Sequence, residues 1–267
     1  QIPKKSGKKR TIEAPDAELK FLQNVILTTF LYKYSAHPIA HGFVKERSPK
    51  TNAEQHVGAK IIIGMDIKDF FPSIKIDRVK RVLTFLSGKG RGKPILTTQE
   101  INMYAELLTH NGKLPQGAPT SPVLSNLAVL GMDKELEALQ DTYGCKITRY
   151  ADDITVSSDY NIMLPQIIRP IKKLINKYGF RVNNDKTRVF RNGGRMTVTG
   201  VVVNVKPNIS KRVRRNLRAK IFNLKVSDTP ISDLERSQMR GMAEWIRHLN
   251  PTHGDNLISQ LQELRTV

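Results

Sequence analysis

The sequence predicts an α+β fold, on three observations. Apolar runs of strand length, such as "AKIIIGMDI" and "KITRY", lie among segments whose apolar residues recur at helical intervals. Carboxylates fall at the ends of the strand-like runs: Asp66 in the first, Asp152 and Asp153 in "TRYADDITVSS". After Pro207 the strand character disappears and the chain becomes basic and helical. With 267 residues and 39% hydrophobic content, there is material for one large domain or two or three closely packed subdomains.

The elements follow in order. "PKKSGKKRTIEAP" reads as a basic hairpin that turns at Ser6-Gly7 between prolines. "AELKFLQNVILTTFLYKY" has the spacing of an amphipathic helix. In "SPKTNAEQH", Thr51 and Glu54 are spaced as a capping box, opening a helix with Asn52 and His56 on one face. "AKIIIGMDIKDFFPSI" then reads as a buried strand delivering Asp66. Residues 76–110 read as helices interrupted by the loop "SGKGRGKP". The loop "NGKLPQGAPTSP" leads to Ser121-Pro122, a helix start for "PVLSNLAVLGMDKELEAL".

Beyond the aspartate pair, "LPQIIRPIKKLINKYGF" predicts a helix interrupted at Pro170. "RMTVTGVVVNV" predicts a strand, with Gly200 as a bulge or a site of close approach. Between Val205 and Lys225 stand eight Lys or Arg and no acid. There Val213, Leu217, Ile221 and Leu224 form an apolar stripe, leaving Lys211, Arg214, Arg215 and Arg218 as a phosphate-binding face. Helices around Leu234–Leu249 and Asn256–Leu264 complete a C-terminal helical subdomain.

Composition narrows the partners. Forty-four Lys and Arg against 24 Asp and Glu give a formal charge of +20, an excess that repels itself unless a polyanion compensates it. Nucleic acid fits, through counterion release at each neutralised phosphate; an anionic membrane is the rival surface. No apolar run approaches the roughly 18 residues that span a bilayer, so a transmembrane role is excluded from the reading. The single Cys145 excludes an internal disulfide and fits a packed thiol in a reducing cytoplasm. His37 and His41 have helical spacing, but Pro38 and Gly42 break the helix that zinc ligation would need.

Two adjacent aspartates most simply make a turn. Flanked by strands, they sit at a hairpin tip, where a divalent cation would relieve their repulsion. Asp66, from another strand, is the best third carboxylate. Such an oxygen cage suits Mg²⁺, and two ions roughly 4 Å apart promote phosphoryl transfer. Spacing alone leaves nucleotidyl transfer and nuclease cleavage both open.

Taken in order, "DIKDFF" (66–71), "LPQGAPTSP" (114–122) and "YADD" (150–153) resemble the palm motifs of reverse transcriptases, and the likeness runs over essentially the whole chain. It implies a right-hand polymerase: fingers at 1–65 and 76–118, a palm with antiparallel sheet and helices at 66–75 and 119–204, and a helical thumb at 205–267. It implies that Asp66, Asp152 and Asp153 are catalytic and, with Ile67, hold two Mg²⁺ ions. Phe71 takes the steric-gate position against a ribose 2′-hydroxyl, while Phe70 is core. Gln116, Arg10 and Lys8 take nucleotide-binding positions, and Lys186 of "NNDKTRVF" one where a Lys helps protonate pyrophosphate.

Two further motifs resemble retron reverse transcriptases: "NAEQH" (52–56) and "VTG" (198–200). This likeness implies RNA binding at Asn52, His56, Val198, Thr199, Gly200 and the basic helix. It also implies priming from an RNA 2′-hydroxyl to give branched RNA-linked DNA on a cognate msr-msd-type noncoding RNA. Deoxynucleoside triphosphates are the substrates, and phage defence with a separate effector protein is the expected setting. A group II intron reverse transcriptase, a metal-dependent nuclease and a noncatalytic RNA-binding scaffold stay open as alternatives.

Overall fold

The computed structural model describes residues 2–3, 9–88, 95–160, 164–227 and 230–265, with side chains from residue 11 onward. The predicted Ser6-Gly7 turn, Lys8 and residues 89–94 of the "SGKGRGKP" loop lie outside the described residues. At the N-terminus β1 (Ile2–Pro3) and β2 (Lys9–Arg10) pair antiparallel, with Ile2 opposite Arg10. Helix α1 (Ala17–Thr29) begins where the Asp16 side chain accepts from Leu19 N, and a 3₁₀ turn (Leu31–Lys33) follows.

Helix α2 (Pro49–Glu54) is capped one turn earlier than predicted. Ser48 is the N-cap, and Thr51 is its N3 partner rather than the cap itself, since Pro49 suits the first helical position. The helix ends at Glu54, so His56 lies in the turn beyond it.

Strand β3 (Ile61–Ile67) is central in a four-stranded antiparallel sheet with β4 (Lys146–Tyr150), β5 (Asp153–Ser158) and β6 (Val182–Arg191), in the order β4-β5-β3-β6. The expected palm boundary between 65 and 66 therefore falls inside one strand. Alternation fixes the faces. Ile63, Met65 and Ile67 of β3, with Ile154 and Val156 of β5, join the main core, while Ile62, Gly64 and Asp66 face the other way into a cleft. Each such isoleucine contributes about 1.5–3 kcal/mol by burial.

The covering layer is helical: α3 (Phe70–Ser73), α4 (Ile76–Ser87), α5 (Thr98–Leu108), α6 (Ser121–Ala128), α7 (Leu130–Tyr143) and α8 (Leu164–Lys177). In α4, Val79, Val82, Leu83 and Leu86 form the buried stripe. The expected helix after Ser121 is divided at Val129 into α6 and α7. The expected break at Pro170 is absent: α8 runs through it, burying Ile167, Ile171, Leu174 and Ile175.

A second core gathers Ala53, Ala59 and Ile62 with the chain after Met196. The predicted single strand around Gly200 is instead a hairpin of β7 (Thr197–Val198) and β8 (Val201–Val202), with Thr197 opposite Val202 and Val198 opposite Val201. Its two turn residues, Thr199 (φ 47°) and Gly200 (φ 84°), are both left-handed, as a two-residue type I′ turn requires. Gly200 is thus a turn residue, not a bulge. Helices α9 (Lys211–Val226), α10 (Asp233–Leu249) and α11 (Pro251–Gln262) close this core through Leu217, Ile221, Met239, Ile246, Leu257 and Leu261. Among the described residues, no helix is long and apolar enough to cross a membrane.

Candidate active site

Strand pairing assembles the carboxylates. In the β3–β5 register Asp66 stands directly opposite Asp153, and Ile67 N donates to Asp152 O at 2.8 Å. The turn between β4 and β5 is Ala151-Asp152, with Ala151 left-handed at φ 57°, so Asp153 belongs to the strand rather than to the turn. Oxygens of Asp66, Asp152 and Asp153 lie within 4.8 Å of one another.

Such crowding has an electrostatic signature. The Asp153 carboxyl is pushed up to about 6, first by desolvation, then by the charges of Asp152 and Asp66, with Lys186 and Arg188 partly offsetting them. Lys186 on β6 reaches Asp66 Oδ2 at 2.8 Å, and that hydrogen bond holds its ammonium above the usual lysine range. The oxygen-only donor set fits a hard divalent cation, which would offset the desolvation and the mutual repulsion that push the Asp153 carboxyl up. The triad can therefore hold a metal ion.

The carboxylates open into a cleft of about 580 Å³ on the sheet face opposite the main core. Arg188, opposite Gly64 on the β6–β3 ladder, lines it together with Lys186 and Phe190. Arg188 was not foreseen; its position two residues from Lys186 on a strand, hence on the same face, was the available signal. The turn of the β7–β8 hairpin forms another wall through Thr199 and Gly200. Thr199 Oγ1 also donates to Pro49 O at 3.2 Å, so the NAEQH helix and the VTG hairpin form one unit beside the carboxylates.

That unit corrects part of the expected RNA surface. Asn52 and His56 are 0% and 1% exposed, and Val198 is also buried. His56 is held between Ser157 Oγ and Thr148 Oγ1, each at 2.7 Å. Burial, aided by the His41 and Lys146 charges, pushes its pKa down to about 3, so it is neutral at physiological pH. His56 is thereby tied to β4 and β5, and the three buried side chains offer no contact surface. Thr199, Gly200 and the α9 cations remain accessible, with Lys211, Arg215 and Arg218 exposed and Arg214 half-exposed.

Phe70 is core, as expected, packed against Phe180. Phe71 is half-buried and meets Phe43, with ring centroids 6.0 Å apart; Phe43 was not foreseen. Gln116 O accepts from Glu13 N at 2.8 Å, tying the "LPQG" loop to the chain that leaves the basic hairpin. Arg10 is placed by its backbone in β2, and Lys8 is outside the described residues. His37 contacts Glu137 at 3.6 Å and His41 contacts Thr51 at 3.1 Å, in keeping with structural roles. Cys145 is buried and its thiol is pushed up to about 11 by burial.

Comparison with known proteins adds ancestry to this geometry. The family model described as "Reverse transcriptase (RNA-dependent DNA polymerase)" matches residues 2–219. The chain is 36% identical to the retron Mx65 reverse transcriptase of Myxococcus xanthus, over 96% of this chain and 62% of that protein. It is 38% identical to the retron Mx162 reverse transcriptase of the same organism, over 100% of this chain and 60% of that protein. With the retron Ec86 reverse transcriptase of Escherichia coli it shares 32% identity, over 98% of this chain and 79% of that protein. The chain thus spans about 60% of the length of the two Myxococcus relatives.

Proposed function

The chain belongs to the reverse transcriptase family, within its retron branch, and from that premise we propose that it is an RNA-directed DNA polymerase making retron DNA. The observation that carries this reading is the joining of the Asp66, Asp152 and Asp153 cluster to the VTG turn in one cleft. A nuclease reading accounts for the carboxylates but leaves the VTG turn beside them unexplained.

In this reading the three aspartates, with Ile67 beside them, hold two Mg²⁺ ions. When bound, those ions supply activation of an attacking hydroxyl and stabilisation of a departing oxygen. The protein's own groups do the rest. Lys186, exposed beside Asp66, is the proton donor to pyrophosphate. Phe71, braced by Phe43, excludes a ribose 2′-hydroxyl. Gln116 contacts the incoming nucleotide, and Arg10 with Lys8 holds its triphosphate.

In the same reading the β1–β2 pair with α1, α2, α4 and α5 are assigned to the fingers, the four-stranded sheet with α3, α6 to α8 and the β7–β8 hairpin to the palm, and α9 to α11 to the thumb. Thr199, Gly200 and the α9 cations bind a cognate msr-msd-type RNA, and synthesis starts from one of its 2′-hydroxyls, leaving the DNA branched from the RNA. The product acts with a separate effector protein in phage defence, the setting that the retron resemblance implies.

Sequencing of nucleic acid that copurifies with the protein tests this. A structured RNA joined to DNA, with a junction cleaved by a 2′,5′-debranching enzyme, is expected. Spliced intron RNA, or no DNA at all, overturns the retron reading.

A further inference from the structure

Arg149 is a full-length charged side chain with 0% exposure, on the strand that leads into the catalytic turn. Its guanidinium points into the helical layer. Nε and Nη2 meet the two Asp133 oxygens at 2.7 and 2.5 Å, and Nη1 donates to Asn126 Oδ1 and to Ala151 O, both at 3.0 Å. Asp133 is on α7 and Asn126 on α6. Asn126 passes the restraint on, because its Nδ2 donates to Gly42 O at 2.9 Å.

Gly42 completes the enclosure. A Cβ there would lie 2.4 Å from Ala151 N, so the backbone of Gly42 abuts the turn and only glycine fits. The carbonyl before Asp152 is thus held by Arg149, and the carbonyl of Asp152 itself is held by Ile67 N at 2.8 Å. Ala151 is a left-handed residue, a conformation that costs about 1–2 kcal/mol and persists only when its surroundings enforce it.

Stability alone does not call for this arrangement. A buried ion pair often gains nothing over apolar residues of similar volume, because both charges must be desolvated. The planar guanidinium supplies what an apolar replacement cannot: a fixed fork for Asp133 with donors left over for the turn. We propose that Arg149, oriented by Asp133 and Asn126, is a positioning residue that sets the left-handed Ala151 turn and so aims Asp152 at Asp66. This rests on the reading of Asp152 as a catalytic carboxylate.

The test compares wild type, Arg149→Lys, Asn126→Ala, the apolar double variant Arg149→Met/Asp133→Leu, and Asp152→Asn. Each is assayed for thermal midpoint, Mn²⁺ affinity by electron paramagnetic resonance, and kcat and KM on an RNA template with a DNA primer. The folded lysine and double variants are expected to lose about tenfold or more in kcat with nucleotide KM within about twofold, as a misaimed carboxylate demands. Their Mn²⁺ binding weakens severalfold, and Asn126→Ala shows a smaller loss in the same direction. A folded double variant with wild-type kcat and Mn²⁺ affinity overturns the proposal. Failure of every Arg149 variant to fold also overturns it, making the pair a structural support. If instead Asp152→Asn retains wild-type synthesis, the reading of Asp152 as a catalytic carboxylate fails, and if wild type itself extends no primer the polymerase reading fails; both outcomes are distinct from failure of the Arg149 proposal.

Discussion

At the scale of single residues, chemistry turns on how close three carboxylates are held. Asp153 carries a pKa of about 6, raised by desolvation and by its two acidic neighbours. Because this folded-state value lies above the usual 3.8, folded protein binds the extra proton between about pH 4 and 6. This group's contribution to stability is therefore present at low pH and is lost as pH rises through 6. A divalent cation competes with that proton, so the rise in thermal midpoint on adding Mg²⁺ should be larger at pH 7 than at pH 5. Asp153→Asn should flatten the difference; an equal rise at both pH values in wild type would contradict it. Phe71→Ala should increase ribonucleotide incorporation, and unchanged sugar discrimination in a single-nucleotide assay would remove Phe71 from the gate. The carboxylates were legible because each ends an apolar strand-like run. Arg149 was not legible: in a chain of 44 basic residues nothing marks one arginine as buried, and its partner Asp133 lies on a different element.

At the scale of elements, pairing decided what propensity could not. The run "TVTGVVV" reads as one strand because all its residues but glycine favour extended structure, yet Thr199 and Gly200 fold it into a hairpin. Strand β6 was hard to see for the opposite reason. Asn183, Asn184 and Asp185 are poor strand formers, and pairing with β3 supplies the order they lack. The helix cap was shifted by one turn because "SPKT" and "TNAE" both carry capping spacing, and Pro49 selects the first. The hairpin makes its own prediction. Thr199→Gly relieves a left-handed β-branched residue worth about 1 kcal/mol and loses a hydrogen bond of similar worth. The thermal midpoint should thus stay within a few degrees, while affinity for the RNA falls. An unchanged RNA affinity in a filter-binding assay would take the turn out of the interface.

At the scale of the whole molecule, two cores meet along β3, which gives Ile63 and Met65 to one and Ile62 to the other. That division brings the helical C-terminal region beside the carboxylate-bearing sheet, and the basic, helical character of that region was readable from the sequence, whereas β6 and the β7–β8 hairpin were not. The balance of +20 was equally plain, and it predicts salt-sensitive binding. With about six phosphates neutralised, affinity for RNA should fall about 10²-fold or more between roughly 50 and 200 mM salt. A flat salt dependence would assign the charge to something other than nucleic acid. Most directly, the central claim is tested by incubating the protein with an RNA template, a DNA primer, Mg²⁺ and labelled deoxynucleotides. Template-directed primer extension that disappears in Asp152→Asn, with RNA binding retained, is the predicted result; degradation of the template without extension would contradict it.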